Sequence, residues 1–535
     1  MIIPLIGIFV SLAVLVGLAY RGHSVVVVAP IAAIIATLFS GAPLLATYTQ
    51  IFMPAAGRFI TAYMPLFLCG AIFGHLMTVS GLASQLARSL SVLFGAQRAL
   101  ATTVLATALL TYGGVSAWVV VFTIMPIAME LFKEAHVPRR LMPAAIAFGT
   151  ITFALAALPG SPQIHNAIPT KYFGTTTYAA PFFGLIATAI MLVLGMAWLH
   201  FRTRQLNARG EYFEPLPDKQ SRREKRKEQS GAVVAAAGPR GEGNAEVGEA
   251  HRVVGHSEPA AKHETEHHGP GWIQSTLKEP GVSAGELLRK QRKLSAATMT
   301  KAEALKLGGI GLLPIMVVIV MNFLFVYVLS NYMNFDYLAE EKFGGVSLDK
   351  VMGTWSVVVA LASAILLMLV MRPGQIRENI GALSEGAKTS ILPAFTTASE
   401  VGYGAVVASL AIFTVIRDGM FSVSDNALVV STLSTGVISG ITGSASGGLS
   451  ITMEAFGASL AQMASDQGIS MEILHRVSAM ASVSFDSLPH NGAVLTMLLV
   501  CGMTHRQSYK DVAVVTVLLP IAVIAAMVAG VMILS

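Results

Sequence analysis

The sequence predicts an all-α integral membrane protein made of two inverted repeats, each with about five spans including a discontinuous helix, plus one re-entrant hairpin. Three observations predict it. The chain has 535 residues, 54% hydrophobic and only 12% charged, with a mean hydropathy of +0.66; a soluble globular protein carries about 25% charged residues. Half of the charges lie in one stretch, residues 201–306, which holds 19 Lys/Arg and 14 Asp/Glu. The apolar blocks on either side, 1–200 and 307–535, repeat one order of simple and interrupted segments. Such a composition excludes an ordinary soluble enzyme, a collagen and a disulfide-rich secreted scaffold. Cys69 and Cys501 both sit in apolar surroundings and support no disulfide framework.

A helix crossing about 30 Å of hydrocarbon needs about 20 apolar residues. In the first block, 2–20, 24–40, 62–80 and 178–200 meet that length. The start, Met1-Ile-Ile-Pro-Leu5, lacks a basic n-region and a cleavage site and reads as the first span. Residues 99–131 are too long for one span and carry Thr111-Tyr-Gly-Gly-Val-Ser116 at their centre, so they read as a hairpin that enters and leaves on one side. Residues 141–175 are interrupted by Leu158-Pro-Gly-Ser-Pro-Gln-Ile-His-Asn166 and read as a discontinuous helix.

The polar stretch 201–306 follows as a cytoplasmic insert. Its basic run, Ser221-Arg-Arg-Glu-Lys-Arg-Lys227, reads as a solvated segment rather than a lipid or RNA patch. Residues 229–270, rich in Gly, Ala, Glu and His, read as disordered, and 283–305 as a basic helix on the membrane surface. His263, His267 and His268 have no second ligand cluster, so no metal site is expected. The net charge of +6 divides as +5 in the insert and +1 elsewhere, which is not a nucleic-acid signature.

The second block has simple spans at 307–330, 351–371, 391–416 and 510–534. Its overlong segment, 426–465, contains Thr442-Gly-Ser-Ala-Ser-Gly-Gly448, and its interrupted one, 471–504, contains Asp486-Ser-Leu-Pro-His-Asn-Gly492. Gly113 and Gly443 lie 330 positions apart, as do Leu158-Pro159 and Leu488-Pro489. Five crossings per block make the second copy inverted. Eleven Lys/Arg outside the insert then fall on its side of the membrane, and six (Arg58, Lys171, Lys342, Lys350, Arg417, Arg476) on the other. That bias follows the positive-inside rule and makes the chain a multi-pass inner-membrane protein with a cytoplasmic insert.

Lipid cannot satisfy a free backbone N–H or C=O, so irregular chain at membrane depth survives only where protein or a watery cavity covers it. Paired breaks in two inverted halves point to a transport site at mid-depth. Half-helix N-termini there offer free N–H groups and partial positive charge to an anion. Close helix packing is the competing explanation for the Gly and Ser residues. Charges in apolar segments are functional candidates by their cost alone, about 2.5–3.5 kcal/mol at the bilayer centre. Asp486 reads as a proton or sodium site, or as a cap on the half-helix after it; Glu400 reads as a proton relay, or as a carboxyl paired inside the bundle. His165 and His490 occupy equivalent breaks, each followed by an asparagine, Asn166 and Asn491, whose amides suit substrate hydroxyls or freed backbone groups. Ser116, Ser161, Ser444, Ser446 and Ser487 are further candidate ligands. Glu454 reads as lying on the second hairpin's second arm near the membrane interface, and His75 as structural. There is no GxxxxGK[ST] motif, and the His263-Glu-Thr-Glu-His267 match to HExxH lies in the polar tract read as disordered, so no enzyme activity, cofactor or ATP-driven transport is expected.

Thr442-Gly-Ser-Ala-Ser-Gly-Gly-Leu449, Asp486-Ser-Leu-Pro-His-Asn-Gly492 and Thr504-His-Arg-Gln-Ser-Tyr-Lys-Asp511 resemble the gluconate:proton symporter (GntP) family and its hydroxycarboxylate permease relatives. Leu158-Pro-Gly-Ser-Pro-Gln-Ile-His-Asn166 is similar to the first-half counterpart. The resemblance covers both membrane blocks; the insert departs from it. It implies proton-coupled import of a small organic anion such as gluconate, 3-hydroxybutyrate or another hydroxycarboxylate. It also implies a scaffold domain, a moving domain with paired hairpins, and a homodimer, for which the sequence has no motif. Carried over residue by residue, it adds the hairpin glycines Gly113, Gly114 and Gly447 to the binding region. Two alternatives stay open: sodium-coupled transport of citrate or a dicarboxylate, and a polytopic sensor or channel.

Overall fold

The computed structural model describes residues 2–21, 23–213, 299–371, 376–489 and 491–534. The basic run 221–227, the tract 229–270 with its three histidines, most of 283–305, and His490 lie outside the described residues. Among the described residues all regular structure is helical.

Ile2–Tyr20 and Val25–Ser40 pack on each other, the second ending at Gly41 in the left-handed region (φ 70°). The expected span at 62–80 is part of a longer one, Leu44–Val79, of 36 residues. At about 1.5 Å per residue that exceeds the hydrocarbon thickness, so the helix tilts or projects beyond it. Leu82–Phe94 follows, a short helix that buries Leu82, Ala83, Leu86 and Ala87 on one face. Its Gln, Arg and Ser residues hide it from a search for spans, but the i, i+3, i+4 stripe is enough to dock it.

Next come Ala99–Tyr112 and Ala117–Glu134, then Met142–Ala147 running into a π turn at Phe148–Thr152, an irregular stretch at 153–163, and Ile164–Phe173. Pro181–Asn207 closes the first block. The second block has the same order: Lys301–Tyr332, Leu348–Val370, Ile376–Ser409, Phe413–Phe421, the pair Ala427–Thr442 and Ala445–Asp466, the pair Met471–Asp486 and Gly492–Val500, and His505–Ile533. One expected span differs. Instead of a single helix at 391–416, Ile376–Ser409 runs for 34 residues and Phe413–Phe421 turns away by 96°. Glu378, Glu385 and Lys388 mask the beginning of that helix in hydropathy, but none of them breaks helical backbone. Among the described residues five helices are long and apolar enough to cross a bilayer, and the bent pair makes a sixth candidate.

Helices are interrupted at each of the four breaks read from the sequence: 113–116, 153–163, 443–444 and between Asp486 and Gly492. The second hairpin folds back on itself. A Cβ on Gly448 would lie 2.5 Å from the backbone N of Ser439, whereas nine residues of straight helix would separate them by about 13 Å. Packing is reciprocal between the halves: Ala445–Asp466 lies on Ile164–Phe173, and Ala117–Glu134 lies on Gly492–Val500. The closing helices of the two blocks are joined by a bidentate ion pair, Arg202 Nε to Asp511 Oδ1 at 2.6 Å and Nη2 to Oδ2 at 3.2 Å. Both side chains are buried.

Candidate functional site

The tip of the second hairpin gathers acidic groups from two other helices. Gly443, left-handed at φ 63°, ends Ala427–Thr442, and Ser444 caps Ala445–Asp466 through a 3.1 Å bond accepted by its Oγ from Gly447 N. Glu400, 2% exposed, approaches this first turn from Ile376–Ser409, with Ser444 Oγ donating to its Oε2 at 3.3 Å. The carboxylate lies on the Cα of Gly447: a Cβ there would be 1.8 Å from Glu400 Oε2. One turn earlier on the same face, Thr397 Oγ1 is 3.5 Å from Ser446 Oγ.

Asp486 approaches the same tip from the second break. Its Oδ1 accepts from Asn491 Nδ2 at 2.6 Å, and its carboxylate also bonds the backbone of Ala445. Asn491 uses both ends of its amide: Nδ2 also donates to Gly443 O at 2.9 Å, and Oδ1 accepts from Val494 N at 2.9 Å. Asn491, and not Asp486, therefore caps the half-helix Gly492–Val500. Among the described residues no ion pair involves Glu400 or Asp486. Ser487 is fully buried and its Oγ has no partner. Two residues that the sequence did not single out shape this break. His505 Nε2 lies 2.9 Å from Pro489 O, and Tyr509 donates to Ser487 O at 3.0 Å. They are one turn apart on the closing helix, which gives the Thr504–Asp511 motif a structural reason.

The first break is organised differently. Arg476, on Met471–Asp486 of the other half, is fully buried, contrary to its expected place among solvent-facing cations. Its guanidinium makes five bonds, all to neutral oxygens: Nε and Nη2 to Ala179 O (3.0 and 2.7 Å), Nη1 to Ala156 O and Asn166 Oδ1 (both 2.7 Å), and Nη2 to Thr177 O (3.1 Å). A guanidinium has five N–H donors, so none is left for a ligand. Asn166 is likewise engaged, its Nδ2 donating to Ser161 O and Thr177 O, and Ser161 Oγ donates to Ala154 O at 2.9 Å. Asn322 adds a bond to Gly160 O at 3.0 Å. Arg476→Lys offers three donors for these acceptors, and each buried carbonyl left bare costs about 1–3 kcal/mol. The expected outcome is a sharp loss of folded protein in detergent, read by size-exclusion yield and thermal melting.

Open polar groups remain around the first hairpin's tip. Ser116 precedes Ala117–Glu134 but makes no capping bond. Gly74 of Leu44–Val79 is the close neighbour there, its Cβ position 3.7 Å from Ser116 N, where the second tip has Glu400. Gly114, at φ 97°, abuts Pro162, so the tip touches the first break. Gly113 lies against Ile315. Two further bonds tie this tip to the break, Tyr112 Oη to Pro159 O at 2.7 Å and Gln163 Nε2 to Thr111 O at 2.7 Å. His165 Nδ1 is buried without a partner. The structure thus brings Ser444, Ser446, Gly447, Asp486, Asn491 and Glu400 together at one tip, and sets Gly113, Gly114 and Ser116 beside the first break at the other.

Over 530 residues, 97% of this chain and 97% of the relative, the sequence is 34% identical to YxjC of Bacillus subtilis strain 168, described as an uncharacterized transporter. The chain belongs to the YxjC family of transporters. No family model matches it. The YxjC match spans both apolar blocks and the polar stretch between them, so the insert is no departure from this relative. Kinship with YxjC supports a transporter role, and the apolar helices make the chain a multi-pass membrane protein.

Proposed function

We propose that the chain is a secondary transporter importing a small hydroxycarboxylate, such as gluconate or 3-hydroxybutyrate, by proton symport, as its resemblance to the GntP family implies. The carrying observation is the contrast between the two hairpin tips. At the second, Glu400 and Asp486 already occupy the helix N-terminus with no cationic side chain paired to them. An anion placed there would meet two carboxyls, whereas a cation would neutralise them. At the first, the uncapped helix at Ser116 and the adjoining break offer N–H groups with no resident acid. In this reading the coupling cation binds at the second tip and the substrate carboxylate at the first, and the two halves are inverted copies that alternate access. With Arg476 removed from the outward count, the Lys/Arg bias becomes eleven to five, which supports an inner-membrane protein with its insert facing the cytoplasm.

Sodium is the second reading, favoured by the set of hard oxygen ligands around the tip: the two carboxyls, Ser444 Oγ and Gly443 O. The test is uptake of radiolabelled gluconate, citrate and 3-hydroxybutyrate into proteoliposomes, with pH and sodium gradients imposed separately. Accumulation under a pH gradient alone is expected. Accumulation under sodium alone makes sodium the coupling ion, and no accumulation under either overturns the proposal.

A further inference from the structure

Four elements enclose a small cavity at one flank of the second hairpin, away from the tip. Leu44–Val79 contributes Arg58 and Tyr63, Ile164–Phe173 contributes Lys171 and Tyr172, and Ala445–Asp466 contributes Ser450 and Glu454. Val401, the neighbour of Glu400 in sequence, closes it on the fourth side. The space, about 10 Å³, holds about one water. Arg58 Nη2 and Glu454 Oε1 lie across it at 3.3 Å, and Tyr172 donates to Glu454 Oε2 at 2.8 Å.

Three features suit this cavity to a carboxylate rather than to packing alone. First, its charges do not balance: Arg58 and Lys171 face a single acid, Glu454. Second, Ser450, which lines the cavity, is 3% exposed and its hydroxyl has no hydrogen-bond partner. A buried hydroxyl left unpaired costs free energy that a ligand oxygen would recover. Third, the Arg58–Glu454 pair is partly solvated, with Arg58 60% exposed, and such pairs are weak enough to exchange partners. Position adds a route. Lys171 and Tyr172 lie on Ile164–Phe173, which begins at the first break, where Pro162 abuts Gly114 of the first hairpin's tip.

We propose that this cavity is an entry subsite for the transported carboxylate, latched by the Arg58–Glu454 pair. An incoming carboxylate replaces Glu454 on Arg58, is held by Lys171 and the Ser450 hydroxyl, and passes along Ile164–Phe173 toward the first break. The inference rests on the transport reading for its substrate, but its test does not use transport.

Ser450→Cys is made with Cys69→Ala and Cys501→Ala, and thiol modification is timed with methanethiosulfonate reagents bearing either a sulfonate or a quaternary ammonium group. The sulfonate reagent is expected to react at least tenfold faster than the ammonium reagent. Glu454→Gln, which keeps an acceptor for Tyr172, should widen that preference and Arg58→Gln should erase it. Equal rates for the two reagents, or a preference for the ammonium reagent, overturn the anion subsite. Failure to label in every variant, Glu454→Gln included, overturns the latch. Failure of all uptake assays with intact charge-selective labelling would instead count against the transport reading.

Discussion

Asp486→Asn is expected to abolish gradient-driven accumulation while leaving exchange of labelled for unlabelled substrate. Asn and Asp have nearly the same shape, and an amide oxygen can still accept the bond from Asn491 Nδ2 that ties Asp486 to the hairpin tip. What disappears is the group that can bind and release a cation. For one coupled proton, a gradient of one pH unit is worth about 1.4 kcal/mol, or about tenfold accumulation. An uncoupled variant relaxes to an inside-to-outside ratio near one under the same gradient. Counterflow needs only substrate binding and alternation of access, so it should persist within about tenfold of the parent rate. Proteoliposomes loaded with unlabelled substrate measure both quantities in one preparation. Accumulation equal to that of the parent would remove Asp486 from coupling.

Asp511 illustrates why this outcome is specific to Asp486. Both are carboxylates in the apolar second block. Asp511 is held by two nitrogens of the buried Arg202, Nε and Nη2, so its charge is balanced permanently and serves the union of two closing helices. Asp486 and Glu400 have amide, hydroxyl and backbone partners only. A buried carboxyl without a resident cation is stable when a mobile cation neutralises it, which is the property a coupling site needs.

The breaks were legible in the sequence because their cause is local. Clustered Gly and Pro weaken a helix locally, and lipid turns an interruption into a constraint on what must surround it. Glu400 and Asp486 were legible singly, as charges in apolar surroundings. Their convergence on Ser444 was not, because 44 and 42 positions separate them from it and only hairpin folding brings them there. Arg476 was illegible for a deeper reason. Its acceptors are mainly backbone carbonyls about 300 positions away, and every residue has a carbonyl, so no side-chain pattern marks them. Tyr509 and His505 escaped notice likewise, since they bind the carbonyls of a break and not its side chains. The beginning of Ile376–Ser409 was lost to hydropathy because its early turns carry charge, although helix formation does not require apolar residues.

Gly447→Ala should stop transport without unfolding the hairpin. In a helix interior this change ordinarily favours the helix by about 0.8–1.0 kcal/mol. Gly447 has no positive φ to defend, so backbone strain does not oppose it. The obstacle is the Glu400 carboxylate: the new Cβ would sit 1.8 Å from Oε2 and 2.4 Å from Cδ. The clash falls on the far end of a flexible side chain, so the carboxylate moves and the hairpin stays. Gly448 would not isolate this effect, because its Cβ would meet the backbone of Ser439 and force the arms apart. Expelling Glu400 from the tip removes one of the two carboxyls and the acceptor for Ser444 Oγ, so accumulation should fall at least tenfold while detergent melting is unchanged or higher. Glu400→Asp draws the carboxyl back by one methylene, about 1.5 Å. Combined with Gly447→Ala, it should therefore recover part of the lost uptake, which makes the double variant better than Gly447→Ala alone. Normal accumulation by Gly447→Ala would mean that Glu400 does its work elsewhere, and a double variant no better than Gly447→Ala would mean that the contact between them is not what the substitution breaks.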